Sequence, residues 1–250
     1  MSNAPHILVT GATSGIGEAC ARLFAGNGWS VTLWARRAQR LQALASELTS
    51  ATGAMVNTAC VDVRNAEEVA AAALSLPPID VLVNNAGLSR GLEPIHEGVL
   101  TNWEEMIDTN VKGLLNVSRA VLPGMVRLGK GIVVNIASIA GRQPYRGGNV
   151  YSATKSAVKM LSDSMQIDLN GTGVRVCNVD PGLVETEFSV VRFHGNEERA
   201  KTVYNGMKPL TGSDVADVVF YVATRPPHVS IQDILITPTD QATVSVVHRS

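Results

Sequence analysis

Apolar residues along this chain fall into short continuous runs, at Ile7 to Val9, Val31 to Trp34, Val56 to Val61, Val81 to Val83, Ile132 to Ile136, Val174 to Val179 and Ile234 to Ile236. Runs of this length predict strands buried on both faces, as in a parallel sheet. Between them, Glu18 to Ala25 and Arg37 to Leu48 place apolar residues three and four positions apart with charges in the gaps. That is the pattern of helices lying on a sheet. The alternation continues over nearly the whole length and predicts one α/β domain over residues 1–250: a doubly wound parallel sheet of about seven strands with helices on both faces. No repeat, low-complexity tract or linker divides it, and Pro226-Pro227 reads as the turn between the last helix and the last strand. Ligands of such sheets sit outside the carboxyl ends of the strands, so the residues just after each strand are the first candidates for function.

Composition narrows the partner. The chain has 21 basic and 22 acidic residues and a net charge of −1, without the basic footprint of a nucleic-acid binder, so a small-molecule partner is expected. Cys20, Cys60 and Cys177 are odd in number and far apart. They suit neither a disulfide framework nor the ligand spacing of a zinc site, and no metal is expected. The first residues run straight into an apolar strand without the features of a signal peptide, and no apolar run approaches the ~20 residues of a membrane span. A cytoplasmic protein with no membrane partner is the resulting expectation.

After the first strand comes Thr10-Gly11-Ala12-Thr13-Ser14-Gly15-Ile16-Gly17, opening into a helix. Glycines here permit a tight turn and close backbone approach, so that N–H groups and the helix N-terminus face a pyrophosphate. Gly11 and Gly15 are separated by three residues rather than one, a variant of the dinucleotide fingerprint that depends on its strand-to-helix context. The second strand ends in Ala35-Arg36-Arg37. An acidic side chain there would hold an unphosphorylated ribose, whereas guanidinium groups suit a 2′-phosphate. Arg36 and Arg37 favour NADP(H) over NAD, the alternative being that they solvate the start of a helix. Asp62-Val63, after the third strand, lies where an adenine ring would rest, although an Asp there also suits a helix cap.

Ser138 follows the fifth strand, and Tyr151-Ser152-Ala153-Thr154-Lys155 begins thirteen residues later. A spacing of four puts Tyr151 and Lys155 on one helix face. An ammonium beside a phenol of ordinary pKa ~10 favours the phenolate, which suits an acid/base working near neutral pH. Ser138 is placed to hydrogen-bond a substrate carbonyl oxygen, and Asn110 to hold a water that relays protons to Lys155. Singly, each of these residues reads as well as a structural tyrosine, a snorkelling lysine, a capping serine or a turn asparagine.

Taken together, in this order and at these separations, they resemble the short-chain dehydrogenase/reductase family along nearly the entire chain. Thr10 to Gly17 resembles its glycine motif, Asn84-Asn85-Ala86-Gly87 its fourth-strand motif, and Asn110, Ser138, Tyr151 and Lys155 its catalytic tetrad. Pro181-Gly182, with Val184 and Thr186 beyond, resembles the loop that grips the nicotinamide amide. The resemblance implies a Rossmann-like fold with a cofactor half in about residues 1–140 and a catalytic and substrate half in about 141–250. It implies NADP(H) contacts from Gly11, Thr13, Ser14, Gly15, Ile16, Gly17, Arg36, Arg37, Asp62, Val63, Asn85, Ala86, Gly87, Tyr151, Lys155, Pro181, Gly182, Val184 and Thr186. It further implies a homotetramer in which long helices over Trp103 to Val126 and Tyr151 to Leu169 pair between subunits.

Pro144-Tyr145, Gly147 to Tyr151, Pro181 to Phe188, Val191-Arg192-Phe193 and the ending Val246 to Arg249 resemble a narrower group. These are the NADP-dependent 3-hydroxy acid dehydrogenases, with serine dehydrogenases and sulfoacetaldehyde reductases among them. The implied substrate is a small anionic aldehyde or ketone, or its hydroxy acid, met by Ser138 and Tyr151 and by one of Arg90, Arg142, Arg146 and Arg192. Bidentate donors of this kind match a carboxylate or sulfonate, although most arginines are solvated surface residues. Phe188 to Pro209 reads as a helical lid or an ordinary amphipathic helix, and the tail carrying Val244, Val246 and Val247 as a segment that docks on a neighbour or frays. Alternatives are a carbonyl or 3-oxoacyl reductase for larger substrates and a catalytically silent NADP-binding regulator.

Overall fold

The computed structural model describes residues 4–250. Seven strands form one all-parallel sheet in the order β3-β2-β1-β4-β5-β6-β7. They are β1 (His6–Thr10), β2 (Ser30–Ala35), β3 (Val56–Cys60), β4 (Val81–Asn84), β5 (Gly131–Ile136), β6 (Val174–Pro181) and β7 (Asp233–Ile236). Each matches an apolar run of the sequence. The strand order reverses between β1 and β4, which lie side by side with Ile7 opposite Val81 and Val9 opposite Val83. At such a switch point the two flanking connections leave toward opposite faces and open a crevice at the carboxyl ends.

Alternate residues of each strand feed two separate cores. Ile7, Val9, Val31 and Leu33 pack with Cys20 and Phe24 of α1 (Gly15–Gly26), Leu41, Leu44 and Leu48 of α2 (Ala38–Thr52), and Val215 and Val219 of α9 (Gly212–Ala223). Leu8, Trp34, Leu82, Val133 and Val176 face the other way. They meet Val69 of α3 (Ala66–Ala73), Val117, Val121 and Met125 of α5 (Gly113–Leu128), and Val158 and Met165 of α6 (Asn149–Asp168). Removing each such side chain from water contributes about 1.5–3 kcal/mol, which is why strands apolar on both faces settle between two helical layers.

Three local features differ from the sequence expectations. The helix expected over Trp103 to Val126 is α4 (Leu100–Ile107) and α5 joined by a π-helical turn, Asp108–Lys112. The cap of α3 is Asn65, whose side chain accepts from the N–H groups of Glu67 and Glu68, so Asp62 is free of that task. The segment Phe188 to Pro209, expected as one helix, is two short helices, α7 (Phe188–Arg192) and α8 (Glu197–Thr202). Between them His194 and Gly195 adopt left-handed φ values of 52° and 90°, which an uninterrupted helix cannot contain.

Candidate active site

At the carboxyl ends of the strands lies a cleft of about 880 Å³. The turn after β1 forms its floor. Gly11 and Gly15 have φ of 65° and 57°, and a Cβ on Gly11 would stand 2.9 Å from the Ala86 Cα, so side chains are excluded on two grounds. Gly17 faces away from the cleft: a Cβ there would lie 2.5 Å from the Asn85 Nδ2 and 2.6 Å from the Gly11 carbonyl oxygen. Its part is to let α1 approach the loop closely. Asn85 secures that loop by donating from Nδ2 to the Thr10 carbonyl at 2.9 Å, while the Thr10 hydroxyl accepts from the Asn85 and Ala86 N–H groups at 3.0 Å. Asn84 points into the sheet and donates to Asn135 and Ser118. The Asn-Asn-Ala-Gly segment thus divides between supporting strands and shaping the cleft.

Gly11, Thr13, Ser14, Gly15, Ile16, Arg36, Arg37, Asp62, Val63, Asn85, Ala86, Gly87, Pro181, Gly182, Val184 and Thr186 all line the cleft. Arg37 donates to Thr13 and Ser14 of the glycine turn, and Arg36 stands 3.8 Å from Asp62. A long groove with a glycine floor at a helix start and guanidinium groups at one end fits a dinucleotide carrying an extra phosphate.

Ser138, Tyr151 and Lys155, three of the four residues expected to be catalytic, converge at the other end. Tyr151 and Lys155 share one face of α6, are buried, and lie with the Lys155 Nζ 6.0 Å from the phenol ring centre. The Lys155 ammonium donates to the Ile136 carbonyl at 2.8 Å. Gly87 leaves room for it, since a Cβ there would be 3.4 Å from that Nζ and 3.2 Å from the Asn110 Oδ1. Burial pushes the Tyr151 phenol up to about 12, with the Arg192 charge and the Ser138 hydroxyl pulling it down. Burial brings Lys155 down to about 8, opposed by the charge of Asp180. The cation that opposes burial at the phenol is therefore Arg192.

Ser138 caps a short 3-10 turn through its hydroxyl. Its N–H donates to the Asp180 Oδ1 at 3.1 Å. Asp180 is wholly buried, accepts from the Arg142 Nε at 2.5 Å and from the Asn178 Nδ2 at 2.9 Å, and has its carboxyl raised by burial against the pull of Arg142. Asn110 sits in the π-helical turn, a distortion frequent at functional sites. Its side chain does not line the cleft. It donates to the Leu88 carbonyl at 2.8 Å and the Thr154 hydroxyl at 3.0 Å and accepts from the Leu88 N–H at 2.8 Å, tying the loop after β4 to α6.

The four arginines separate by environment. Arg142 is paired with Asp180 and Asp233 and is not among the residues lining the cleft. Arg90 lines it but is engaged by Glu105 at 2.7 Å and by the Val191 carbonyl. Arg146 lines it near Tyr145. Arg192, on α7, lies over three rings, 5.9 Å from Tyr145, 5.5 Å from Tyr151 and 5.2 Å from Phe188, and its buried Nε has no hydrogen-bond partner among the described residues. A guanidinium with an unspent donor above the phenol is equipped to take an anion.

Asp180 as the anchor of Ser138, and Tyr204, which donates to the Val184 carbonyl at 2.9 Å, were not singled out by the sequence. These two contacts join residues 42 and 20 positions apart, and no local spacing reveals them. The tail docks on its own chain: the Val244 N–H donates to Gln143 at 3.0 Å, Arg249 to the Val203 carbonyl at 3.0 Å, and the Ser250 N–H to the Gly206 carbonyl at 2.9 Å. Val244, Val247 and Arg249 consequently form part of the cleft wall.

Comparison with known proteins agrees with this geometry. A family model described as short chain dehydrogenase matches residues 5–197. The chain is 50% identical over 250 residues to the NADP-dependent 3-hydroxy acid dehydrogenase YdfG of Salmonella typhi, covering 98% of this chain and 99% of that protein. It is 45% identical over 241 residues to sulfoacetaldehyde reductase 2 of Chromohalobacter salexigens, covering 94% and 95%. A solved structure of the closed form of serine dehydrogenase complexed with NADP+ superposes with a TM-score of 0.91 at 46% identity, over 98% of this chain and all of that one. With the glycine turn, the Ser138, Tyr151 and Lys155 cluster and a family match across most of its length, the chain belongs to the short-chain dehydrogenase family.

Proposed function

We propose that this protein is an NADP(H)-dependent oxidoreductase that interconverts a small anionic aldehyde or ketone and its hydroxy acid, with Tyr151 as the acid/base. The observation that carries the substrate class is Arg192, which lines the same cleft as Tyr151 and whose Nε has no partner among the described residues. Similarity to a 3-hydroxy acid dehydrogenase and a sulfoacetaldehyde reductase supports it.

The glycine turn and the start of α1 would hold the pyrophosphate, Arg36 and Arg37 with Thr13 and Ser14 the 2′-phosphate, and Asp62 and Val63 the adenine. Asn85, Ala86 and Gly87 would line the middle of the cofactor, and Pro181, Gly182, Val184 and Thr186 its nicotinamide end. When bound, the nicotinamide supplies or accepts the hydride. Ser138 orients the substrate oxygen through its hydroxyl, and the buried Asp180 fixes the Ser138 backbone. Tyr151 gives or takes the proton at that oxygen, and Lys155, one helical turn away, would hold the ribose and carry the proton onward. The lid helices exclude water and bring Arg192 to the substrate anion.

Assays following NADPH absorbance test this with malonic semialdehyde, sulfoacetaldehyde and 3-hydroxy acids against bulky neutral ketones. Activity confined to the neutral ketones would overturn the substrate class. Tyr151→Phe is expected to abolish turnover while retaining cofactor binding, and unchanged turnover would refute its role. We infer likewise that α4, α5 and α6 pair between subunits of a homotetramer. The exposed apolar residues Leu115, Met160 and Ile167 on these helices support that reading, and mass measurement in solution tests it.

A further inference from the structure

Glu187, at the start of α7, reaches the opposite end of the cleft from the reactive residues. Its Oε2 accepts from the Arg37 Nη1 at 2.7 Å and its Oε1 from the Arg40 Nη1 at 2.6 Å. Arg37 is simultaneously anchored to the glycine turn: Nε donates to the Thr13 hydroxyl at 3.1 Å, and Nη2 to the Thr13 carbonyl at 3.1 Å and the Ser14 hydroxyl at 2.8 Å. One guanidinium thus joins three segments far apart in sequence: the phosphate turn, the start of α2 and the start of the lid. Arg40 makes the same carboxylate contact from one turn further along α2 and is not bonded to the glycine turn. Partial burial raises the Glu187 carboxyl, but the two guanidiniums outweigh it and hold the group below its ordinary range. All three side chains are more than 40% exposed, so these contacts can exchange rather than lock.

We propose that Glu187 is a cofactor-specificity determinant, its carboxylate competing with the 2′-phosphate of NADP(H) for Arg37. This rests on the assignment of that phosphate to Arg36 and Arg37 made above. An Arg37 Nη1 donor spent on a carboxylate is withheld from a phosphate, and a carboxylate left beside a phosphate repels it. Binding of NADP(H) therefore requires Arg37 to leave Glu187, while Arg40 keeps the lid tethered through the same carboxylate. A dinucleotide without the 2′-phosphate makes no demand on Arg37 and leaves the contact intact. Glu187 consequently weakens NADP(H) selectively and narrows the gap between the two cofactors.

Fluorescence titration of NADPH and NADH into the full-length enzyme, its Glu187→Gln variant and its Arg37→Ala variant tests this without any turnover. The glutamine keeps the shape and removes the charge. NADPH is expected to bind Glu187→Gln about two- to fivefold more tightly, the span of an exposed ion pair, while the NADH Kd moves by less than about twofold. Arg37→Ala is expected to weaken NADPH by roughly tenfold more than NADH, which loses only the support Arg37 gives the glycine turn. If Arg37→Ala behaves so but Glu187→Gln leaves NADPH unchanged or weaker, the competition is overturned and the phosphate assignment stands. If Arg37→Ala spares NADPH, the assignment fails and the competition with it.

Discussion

Replacing Arg142 by alanine is expected to destabilise the protein by an amount that depends on pH in a defined direction. The Asp180 side chain is 0% exposed and the Arg142 side chain 28% exposed, with 2.5 Å between the Arg142 Nε and the Asp180 Oδ2. Removing one partner of a buried pair costs about 3–5 kcal/mol, because the remaining charge is left uncompensated. Asp180 keeps hydrogen bonds from the Ser138 N–H and the Asn178 Nδ2, and water reaches the Arg142 side, so about 2–4 kcal/mol is expected at pH 8. Burial already raises the Asp180 carboxyl above its unfolded value, and losing Arg142 raises it further. A raised carboxyl in the folded state penalises folding as pH climbs through that range, and the penalty vanishes once the group is protonated. The deficit of Arg142→Ala relative to the parent is therefore largest at pH 8 and shrinks toward acid. Urea unfolding followed by tryptophan fluorescence measures it, Trp34 being buried in the core. The double variant Arg142→Ala/Asp180→Asn should recover most of the loss. A deficit below about 1 kcal/mol at pH 8, or one that grows on acidification, would refute the reasoning. A raised KM for the proposed anionic substrate at unchanged stability would instead return Arg142 to substrate binding.

Gly17→Ala is expected to cost about 1–3 kcal/mol and to weaken cofactor binding, since the new methyl meets the Asn85 amide and the Gly11 carbonyl rather than open cleft; thermal unfolding and NADPH titration read the two effects. For reduction, kcat/KM is expected to fall as pH rises through about 8, where the buried Lys155 loses its proton while Tyr151, at about 12, keeps its own. A profile flat to pH 10 would show that the ammonium is not required.

The strands and the sheet class were legible because burial on both faces leaves an unbroken apolar run, and seven such runs became seven parallel strands. The pairing of Tyr151 with Lys155 was legible for the same kind of reason, a spacing of four along one helix. The separation of the arginines was not. Arg142 and Arg192 look alike in sequence, yet one neutralises a buried carboxylate 38 residues away and the other lies over Tyr151 from α7. Nor did the sequence distinguish Gly17, which faces the loop, from Gly11 and Gly15, which line the cleft.

Periodicity and local spacing are properties of neighbouring residues, and in this chain they determined the elements, their layering and the residues that follow each strand. Which charge meets which was decided only by the fold, because an ion pair or an unpartnered guanidinium depends on groups brought together from distant segments. The docking of the tail on the segment that follows α8 belongs to that second kind. It depends on contacts with other parts of the chain that no hydrophobic pattern encodes.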